Sequence, residues 1–211
     1  MKQINTKRMV ESGLMMALAV LLSMMKIFQL PYGGSVTALS MLPMLLLAYR
    51  YGMAWGAASC FAYSLAQLLQ GLAEGSLKGL TMQAFAGCMF FDYILAFTVL
   101  CLGGVFKGKM RSEGASIACG TALACICRYL CHIISGYLFF GDYAEWFFTE
   151  SGFPLGNEVL GLFSGKALAL IYSIIYNGTF MIPETVITTA AAIPVINMIM
   201  RVAPKDETQC A

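Results

Sequence analysis

The sequence predicts an all-α integral membrane bundle of six transmembrane helices, with both termini in the cytoplasm. Of the 211 residues, 59% are hydrophobic and 11% are charged, whereas about 25% of the residues in an average soluble domain are charged. The apolar residues fall in long runs of about 20, the helix length that crosses about 30 Å of hydrocarbon. These two observations predict a multi-pass protein of the cell membrane.

Short polar turns divide the apolar sequence into six predicted spans. In chain order they cover approximately residues 9–30, 36–49, 53–71, 80–106, 115–140 and 164–200. Between the last two, residues 141–163 mix acidic side chains with Trp146, Phe147 and Phe148, a combination typical of a loop at a membrane interface. No soluble domain or internal repeat interrupts this pattern, so residues 1–211 are predicted to form one domain.

The basic residues determine the predicted orientation. When the connections are assigned alternately to the two sides of the membrane, one side collects Lys2, Lys7, Arg8, Arg50, Lys107, Lys109, Arg111, Arg201 and Lys205. The positive-inside rule places that side, and both termini, in the cytoplasm. The formal net charge of +2 is too small to indicate nucleic-acid binding. Because the chain has no phosphate-binding motif, any ATP-driven step must use partner proteins.

The cysteines predict packing rather than metal binding. Seven of the eight lie within apolar stretches, where cysteine behaves as a small packing residue. Cys125, Cys127 and Cys131 crowd beside His132, but a zinc site would require a second pair of ligands that the sequence does not provide. We therefore predict no metal site, no cofactor and no enzymatic activity.

Four ionisable residues lie well inside predicted spans: Asp92, Arg128, His132 and Glu184. Each costs at least about 2.5 kcal/mol in hydrocarbon, so each marks a candidate site with a partner. Arg128 and His132, four residues apart, share one helix face. Asp92 is predicted either to contact a ligand or to form a structural ion pair with Arg128. Glu184 is predicted to cap or pair near the cytoplasmic half, where Pro183 kinks the helix or loosens its hydrogen-bond ladder.

Polar groups from three predicted helices fall at one depth. Counting about 1.5 Å per residue places His132, Tyr172, Asn177 and Asp92 roughly 12 to 20 Å below the non-cytoplasmic surface. A carboxylate, an imidazole and an amide at one level predict a ligand pocket that opens to the outside. Aromatic residues near these positions in the sequence, Tyr63 among them, would complete its walls.

Small residues spaced four apart indicate surfaces that another helix approaches closely. Gly13 and Ala17 form one such pair in the first span, and Gly52 and Gly56 form a second. Either pair would serve internal packing or the docking of a partner, and the sequence does not decide between them.

The same residues carry a resemblance to a known family. His132 with Gly136, the segment from Phe139 to Ala144, the segment from Tyr172 to Gly178, and Pro183-Glu184 together resemble the thiamine-specific S-components of energy-coupling-factor (ECF) transporters. The resemblance extends over most of the chain, and it includes Asp92-Tyr93 and the Gly13/Ala17 face.

The resemblance implies a six-helix membrane subunit that binds thiamine near the outer surface, under the loop that follows the first helix. It assigns the ligand contacts to Asp92, Tyr93, His132, Phe140, Tyr172 and Asn177. Because thiamine carries a permanent positive charge, we expect the carboxylate to balance the thiazolium and the aromatic faces to attract it. Asp92 stands where the family often has glutamate, and Phe140 where it commonly has tryptophan.

The resemblance also implies partners, namely a membrane T-component and two ATPase subunits, with Gly13 and Ala17 as our candidate docking face. Three other interpretations remain open at this stage. The ligand would be a related vitamin or a thiamine precursor; or the chain would be a membrane redox or enzymatic subunit that uses His132; or it would be an assembly subunit without a ligand.

Overall fold

The computed structural model describes residues 6–30 and 34–202. It is mostly helical, and the described residues form eight helices, a short 3-10 helix at Gly141–Tyr143 and one two-stranded hairpin. Their bounds are α1 Thr6–Met24, β1 Lys26–Gln29, β2 Ser35–Thr37, α2 Leu42–Tyr51, α3 Met53–Glu74, α4 Met82–Gly104, α5 Glu113–Phe139, α6 Ala144–Glu150, α7 Gly156–Leu162 and α8 Gly165–Val202. Lys2 and Lys205, which were used to predict the orientation, lie outside the described residues.

The first helix ends at Met24 rather than at residue 30, because the chain then turns into a hairpin. Strand β1 pairs with β2 in antiparallel register, with Phe28 opposite Val36. β-Branched and aromatic residues favour strands over helices, and Ile27 and Phe28 occupy this position. The hairpin is a correction to the all-α prediction, and residues 31–33 within its connection lie outside the described ranges.

Helix α2 is short and lies inside the bundle. It has ten residues, and Leu42 through Tyr49 are all buried. At 1.5 Å per residue its length is about 15 Å, roughly half of the hydrocarbon thickness. It ends at Tyr51, and Gly52, whose φ of 85° favours glycine, separates it from α3, which begins at Met53.

Helix α4 contains two segments that depart from α-helical winding. Thr81 caps its first turn, Met89–Leu95 form a π-helical segment, and Val99–Gly104 form a 3-10 helix. The π-helical segment contains Asp92. Such segments re-aim side chains and occur frequently at functional sites.

The longest polar connection is helical. It contains α6 and α7, of seven residues each, which account for the two helices beyond the six predicted. Phe147 and Phe148 pack in one buried cluster with Leu168 and Tyr172 of α8. The segment therefore covers the start of α8, which is continuous from Gly165 to Val202 through both of its prolines.

Contacts at the two ends of the bundle show that α1, α2, α3 and α4 run in alternating directions. At one end, Arg50 after α2 pairs with Glu11 in the first turns of α1 at 3.4 Å, and Lys107 Nζ donates to the Arg50 carbonyl at 2.9 Å. At the other end, Lys26 of β1 pairs with Glu74 at the end of α3 at 2.6 Å. Among the described residues, Met82–Gly104, Glu113–Phe139 and Gly165–Ile199 are long and apolar enough to cross a membrane.

Candidate ligand-binding site

A cavity of about 170 Å³ lies between α3, α4, α5, α8 and the hairpin. Its lining is mixed, with charged, amide, hydroxyl and aromatic side chains. Six of the seven predicted ligand contacts line it: Asp92, Tyr93, His132, Phe140, Tyr172 and Asn177. Side chains more than eighty residues apart in the sequence, such as Asp92 and Asn177, therefore line the same cavity.

Tyr63 is the exception, because it does not line this cavity. Its side chain is fully buried in the core, where its ring meets Phe97 edge to face at 5.4 Å between centroids. Its hydroxyl lies 3.5 Å from the Ala19 carbonyl oxygen. Phe97 lines the cavity in front of it, so the position of Tyr63 supports a packing role rather than the predicted ligand contact.

The π-helical segment of α4 supplies the carboxylate and the phenol. Asp92 and Tyr93 are consecutive within it, and both reach the cavity. Tyr93 approaches α3 at Gly71, where an added Cβ would overlap the phenol ring. A side chain at position 71 would therefore push Tyr93 out of its place.

Asp92 is held from α5 by two hydrogen bonds. One carboxylate oxygen, Oδ1, lies 2.8 Å from His132 Nδ1, and the other accepts from Ser135 Oγ. Both partners are buried, whereas about a fifth of the Asp92 side chain remains exposed. The carboxylate is therefore oriented by the protein and still open to the cavity.

Arg128 is connected to Asp92 through His132. Its Nε donates to His132 Nε2 at 3.3 Å, and its guanidinium lies 4.2 Å from the centre of the Phe97 ring. The predicted alternative of an Asp92–Arg128 ion pair is thus replaced by a chain of three residues with the imidazole in the middle.

Asn177 depends on a close approach of α8 to α5. At Gly136, an added Cβ would overlap Ser173 Oγ and lie 3.1 Å from Asn177 Nδ2. The amide nitrogen donates to the His132 carbonyl at 3.2 Å and to the Ser173 carbonyl at 2.8 Å. Because the nitrogen is used in this way, the amide oxygen is the group that Asn177 can offer to a ligand.

Aromatic rings form the rest of the wall. Tyr172 and Tyr176 lie 5.5 Å apart between centroids, and Phe180 lies 5.7 Å from the His132 ring. Phe140, immediately after α5, packs against Tyr143 at 6.2 Å. These faces can surround a flat organic cation.

The sequence analysis missed a polar network at the hairpin side of the cavity. Ser23 Oγ accepts from Gln67 and donates to Gln70 Oε1, both at 2.9 Å, and Gln70 Nε2 donates to Glu74 at 3.1 Å. All of these residues, with Lys26, line the cavity. The spacing of Gln67, Gln70 and Glu74, along one face of an apolar helix, was a signal that could have found them.

Glu184 also lines the cavity. Its carboxylate is buried and accepts from the Thr37 backbone N–H at 2.7 Å and from Thr37 Oγ1 at 2.6 Å. Glu184 was predicted to cap or pair near the cytoplasmic half, but the structure places its carboxylate at the end of β2 beside the cavity. Glu184 therefore fixes the root of the hairpin to α8.

The two small-residue pairs have different surroundings. An added Cβ on Gly56 would overlap Ala48 of α2, so Gly56 serves internal packing. Gly13 and Ala17 are exposed, and nothing lies within 4 Å of an added Cβ on Gly13. This face of α1 is open among the described residues.

Comparison with known proteins gives consistent matches. A family model described as thiamine transporter protein matches residues 9–146. The chain is 29% identical over 191 residues to the thiamine transporter ThiT of Bacillus subtilis (strain 168), covering 85% of each protein. It is 28% identical over 195 residues to ThiT of Lacticaseibacillus paracasei, covering 86% of this chain and 83% of the relative. A solved structure of ThiT from Listeria monocytogenes shares the fold, with a TM-score of 0.64, 22% identity and coverage of 95% and 96%.

Proposed function

Because the chain belongs to the thiamine transporter protein family, we propose that it is the thiamine-binding S-component of an ECF vitamin transporter. It is a transport protein rather than an enzyme, and a multi-pass protein of the cell membrane. The observation that carries the assignment of the ligand is the cavity, in which a carboxylate, an imidazole, an amide and several aromatic rings converge.

We assign the cationic thiazolium to the Asp92 side of the cavity. The carboxylate is oriented by His132 and Ser135 and stays partly exposed to the cavity. An opposite charge in a partly enclosed site attracts a cation more strongly than it would in water. The faces of His132 and Phe140 flank the thiazolium ring, and a desolvated cation over a phenyl face such as that of Phe140 gains about 2 kcal/mol.

The aminopyrimidine then lies on the α8 side, where Tyr172 and Asn177 line the cavity. The pyrimidine carries an amino group and ring nitrogens, so it needs an acceptor and a donor. The amide oxygen of Asn177 suits the amino group, and the phenol of Tyr172 suits a ring nitrogen. Tyr93, beside Asp92, completes the ligand contacts that we propose.

The same proposal includes the membrane topology and one domain over residues 1–211. Six elements, α1 to α5 and α8, cross the membrane, although α2 spans only part of its thickness. The alternating directions of α1, α2, α3 and α4 support an even number of crossings. Positive charge at the Arg50 and Lys107 end supports a cytoplasmic location for that end. The hairpin and the ligand cavity then lie toward the outside.

The chain needs an energising module, for which we propose a membrane T-component and two ATPase subunits. We place the docking of this module on the α1 face around Gly13 and Ala17, which is exposed and without bulky side chains at those two positions. Small residues permit a close approach of a second helix in the bilayer.

A binding screen tests the proposed ligand. Purified full-length protein in nanodiscs is titrated calorimetrically with thiamine, with its isolated aminopyrimidine moiety and with riboflavin. We expect thiamine to bind most tightly, because only thiamine supplies both the fixed charge and the pyrimidine edge. Tighter binding of the pyrimidine moiety would redirect the assignment to a precursor, and tighter binding of riboflavin would contradict it.

A further inference from the structure

Arg128 is a charged residue that lines the cavity and is not among the proposed ligand contacts. It lies one turn before His132 on α5 and is only partly buried. The other cation in the lining, Lys26, pairs with Glu74 at 2.6 Å. Arg128 instead directs its side chain to an imidazole, which is an unusual partner for a guanidinium.

The geometry of this contact defines the protonation of the imidazole. A guanidinium has only donors and does not lose its proton in proteins. Since Arg128 Nε donates to His132 Nε2 across 3.3 Å, Nε2 must present a lone pair. The single ring proton of a neutral imidazole is then on Nδ1, which lies 2.8 Å from Asp92 Oδ1 and donates to it.

Phe97 holds the guanidinium in place. The guanidinium carbon lies 4.2 Å from the centre of the Phe97 ring. Phe97 is buried and meets Tyr63 edge to face at 5.4 Å. Phe97, itself packed in the aromatic core, therefore contacts the guanidinium and helps to fix its orientation toward His132.

We propose that Arg128 is a positioning residue that keeps His132 in the neutral form protonated on Nδ1, so that the Asp92 carboxylate keeps its charge for a cationic ligand. The link to the ligand rests on the proposed function, whereas the protonation of His132 does not. A histidinium beside Asp92 would neutralise the carboxylate and repel an organic cation.

Several charged and titratable groups on the surrounding elements line the same cavity as His132. They are Cys88, Asp92 and Tyr93 on α4, Arg128 on α5, Tyr172, Tyr176 and Glu184 on α8, and Lys26 and Glu74 at the hairpin side. Within the described part of the chain, the hydrogen bond to His132 Nε2 comes from Arg128. Removal of Arg128 therefore frees this lone pair to take up a proton.

The tautomer can be measured directly, because His132 is the only histidine in the chain. Full-length protein with ¹⁵N-labelled histidine is examined by NMR in nanodiscs without ligand. We expect wild-type His132 to stay neutral, with its proton on Nδ1, between about pH 6 and about pH 8. In Arg128→Met, which keeps a long side chain against Phe97, we expect the ring to become protonated toward the acidic end of that range.

Thiamine titrations over the same range connect the tautomer to binding. We expect the wild-type affinity to be nearly constant, and the affinity of Arg128→Met to fall by at least about tenfold from pH 8 to about pH 6. Arg128→Lys restores a cation and N–H donors, so it should restore the flat profile. Arg111→Met removes the same charge from an exposed position and should behave as wild type.

Two results would overturn the proposal: a wild-type proton on Nε2, or an Arg128→Met profile that matches the wild type in both measurements. The wild-type NMR result decides the first point even if the variant fails to fold. Absence of thiamine binding to the wild type at every pH would contradict the proposed function instead, and would leave the tautomer result standing.

Discussion

At the residue scale, the cavity depends on a few polar groups whose free hydrogen-bonding capacity is set by their neighbours. Asp92 is hydrogen-bonded on one side by His132 and Ser135, and the exposed part of its carboxylate faces the cavity. Asn177 uses its nitrogen on helix carbonyls and retains its oxygen. The cavity therefore presents acceptors at both of these positions, and acceptors suit a molecule that carries a positive charge and an amino group.

Replacement of the carboxylate should weaken thiamine binding. In Asp92→Asn the side chain keeps its size and loses its charge, and we expect calorimetry to show an affinity at least about tenfold lower, which is about 1.4 kcal/mol. Asp142→Asn is the control, since Asp142 is exposed and lies outside the cavity lining. Unchanged affinity in Asp92→Asn would show that another group balances the charge.

At the element scale, the site is assembled where helices approach closely and where the hairpin meets the bundle. Gly136 allows α8 to approach α5, and Gly71 allows Tyr93 to approach α3. Glu184 binds the end of β2 to α8, while Lys26 ties β1 to the end of α3. Each of these contacts places a wall of the cavity.

A methyl group between α5 and α8 should disturb both stability and binding. In Gly136→Ala the new Cβ would overlap Ser173 Oγ and crowd the Asn177 amide. Overpacking of this kind costs typically about 1 to 3 kcal/mol. We expect a lower thermal midpoint in detergent and a weaker thiamine affinity. Gly161→Ala, at a position with open space around it, should change neither, and a Gly136→Ala protein indistinguishable from wild type would contradict the packing argument.

Release of the hairpin from α3 should speed ligand loss. In Lys26→Met the 2.6 Å contact with Glu74 is removed. Because the pair is partly exposed, its contribution is small, about 0.2 to 1 kcal/mol. We expect thiamine to dissociate up to about fivefold faster, measured with radiolabelled ligand in a chase experiment. Lys166→Met, at an exposed lysine outside the cavity lining, is the matched control, and an unchanged dissociation rate in Lys26→Met would exclude the hairpin as a barrier.

At the scale of the whole molecule, the two ends of the bundle differ in charge and in structure. At one end, contacts of Arg50 and Lys107 connect α1, α2 and the α4–α5 connection. The other end carries the hairpin and α6 and α7, with Glu145, Glu150 and Glu158. This asymmetry supports one orientation in the membrane and one side for ligand entry.

Labelling from the two sides tests that orientation. In a chain whose eight cysteines are replaced by alanine, Glu158→Cys should react with a membrane-impermeant maleimide on intact cells. Lys109→Cys, in the α4–α5 connection, should react only after the membrane is opened. The reverse pattern would invert the topology and place the cavity toward the cytoplasm.

The docking of an energising module that we propose should depend on the open face of α1. Leucine at Gly13 would block the close approach of a partner helix, so we expect the Gly13→Leu protein to recover much less of the T-component and ATPases on co-purification. Its thiamine affinity should be unchanged, because Gly13 does not line the cavity. Gly161→Leu is the control, and normal recovery with Gly13→Leu would place the dock elsewhere.

The sequence by itself determined the membrane character, and together with the family resemblance it identified six of the residues that line the cavity. A membrane-spanning helix must be long and apolar, and an ionisable residue inside it is energetically costly. Asp92 and His132 could therefore be identified as candidate site residues from the apolar sequence around them. The same rule identified Glu184 and Arg128 as unusual, without giving either its partner.

Only the tertiary structure decided how these groups combine. The π-helical segment that aims Asp92, the hairpin that brings Lys26 and Thr37 to the cavity, and the burial of Tyr63 depend on contacts between residues far apart in the chain. Sequence periodicity describes one helix at a time and carries no information on which faces meet. The partners of Arg128 and Glu184, and therefore the charge that the cavity presents, follow from the packing of helices against one another.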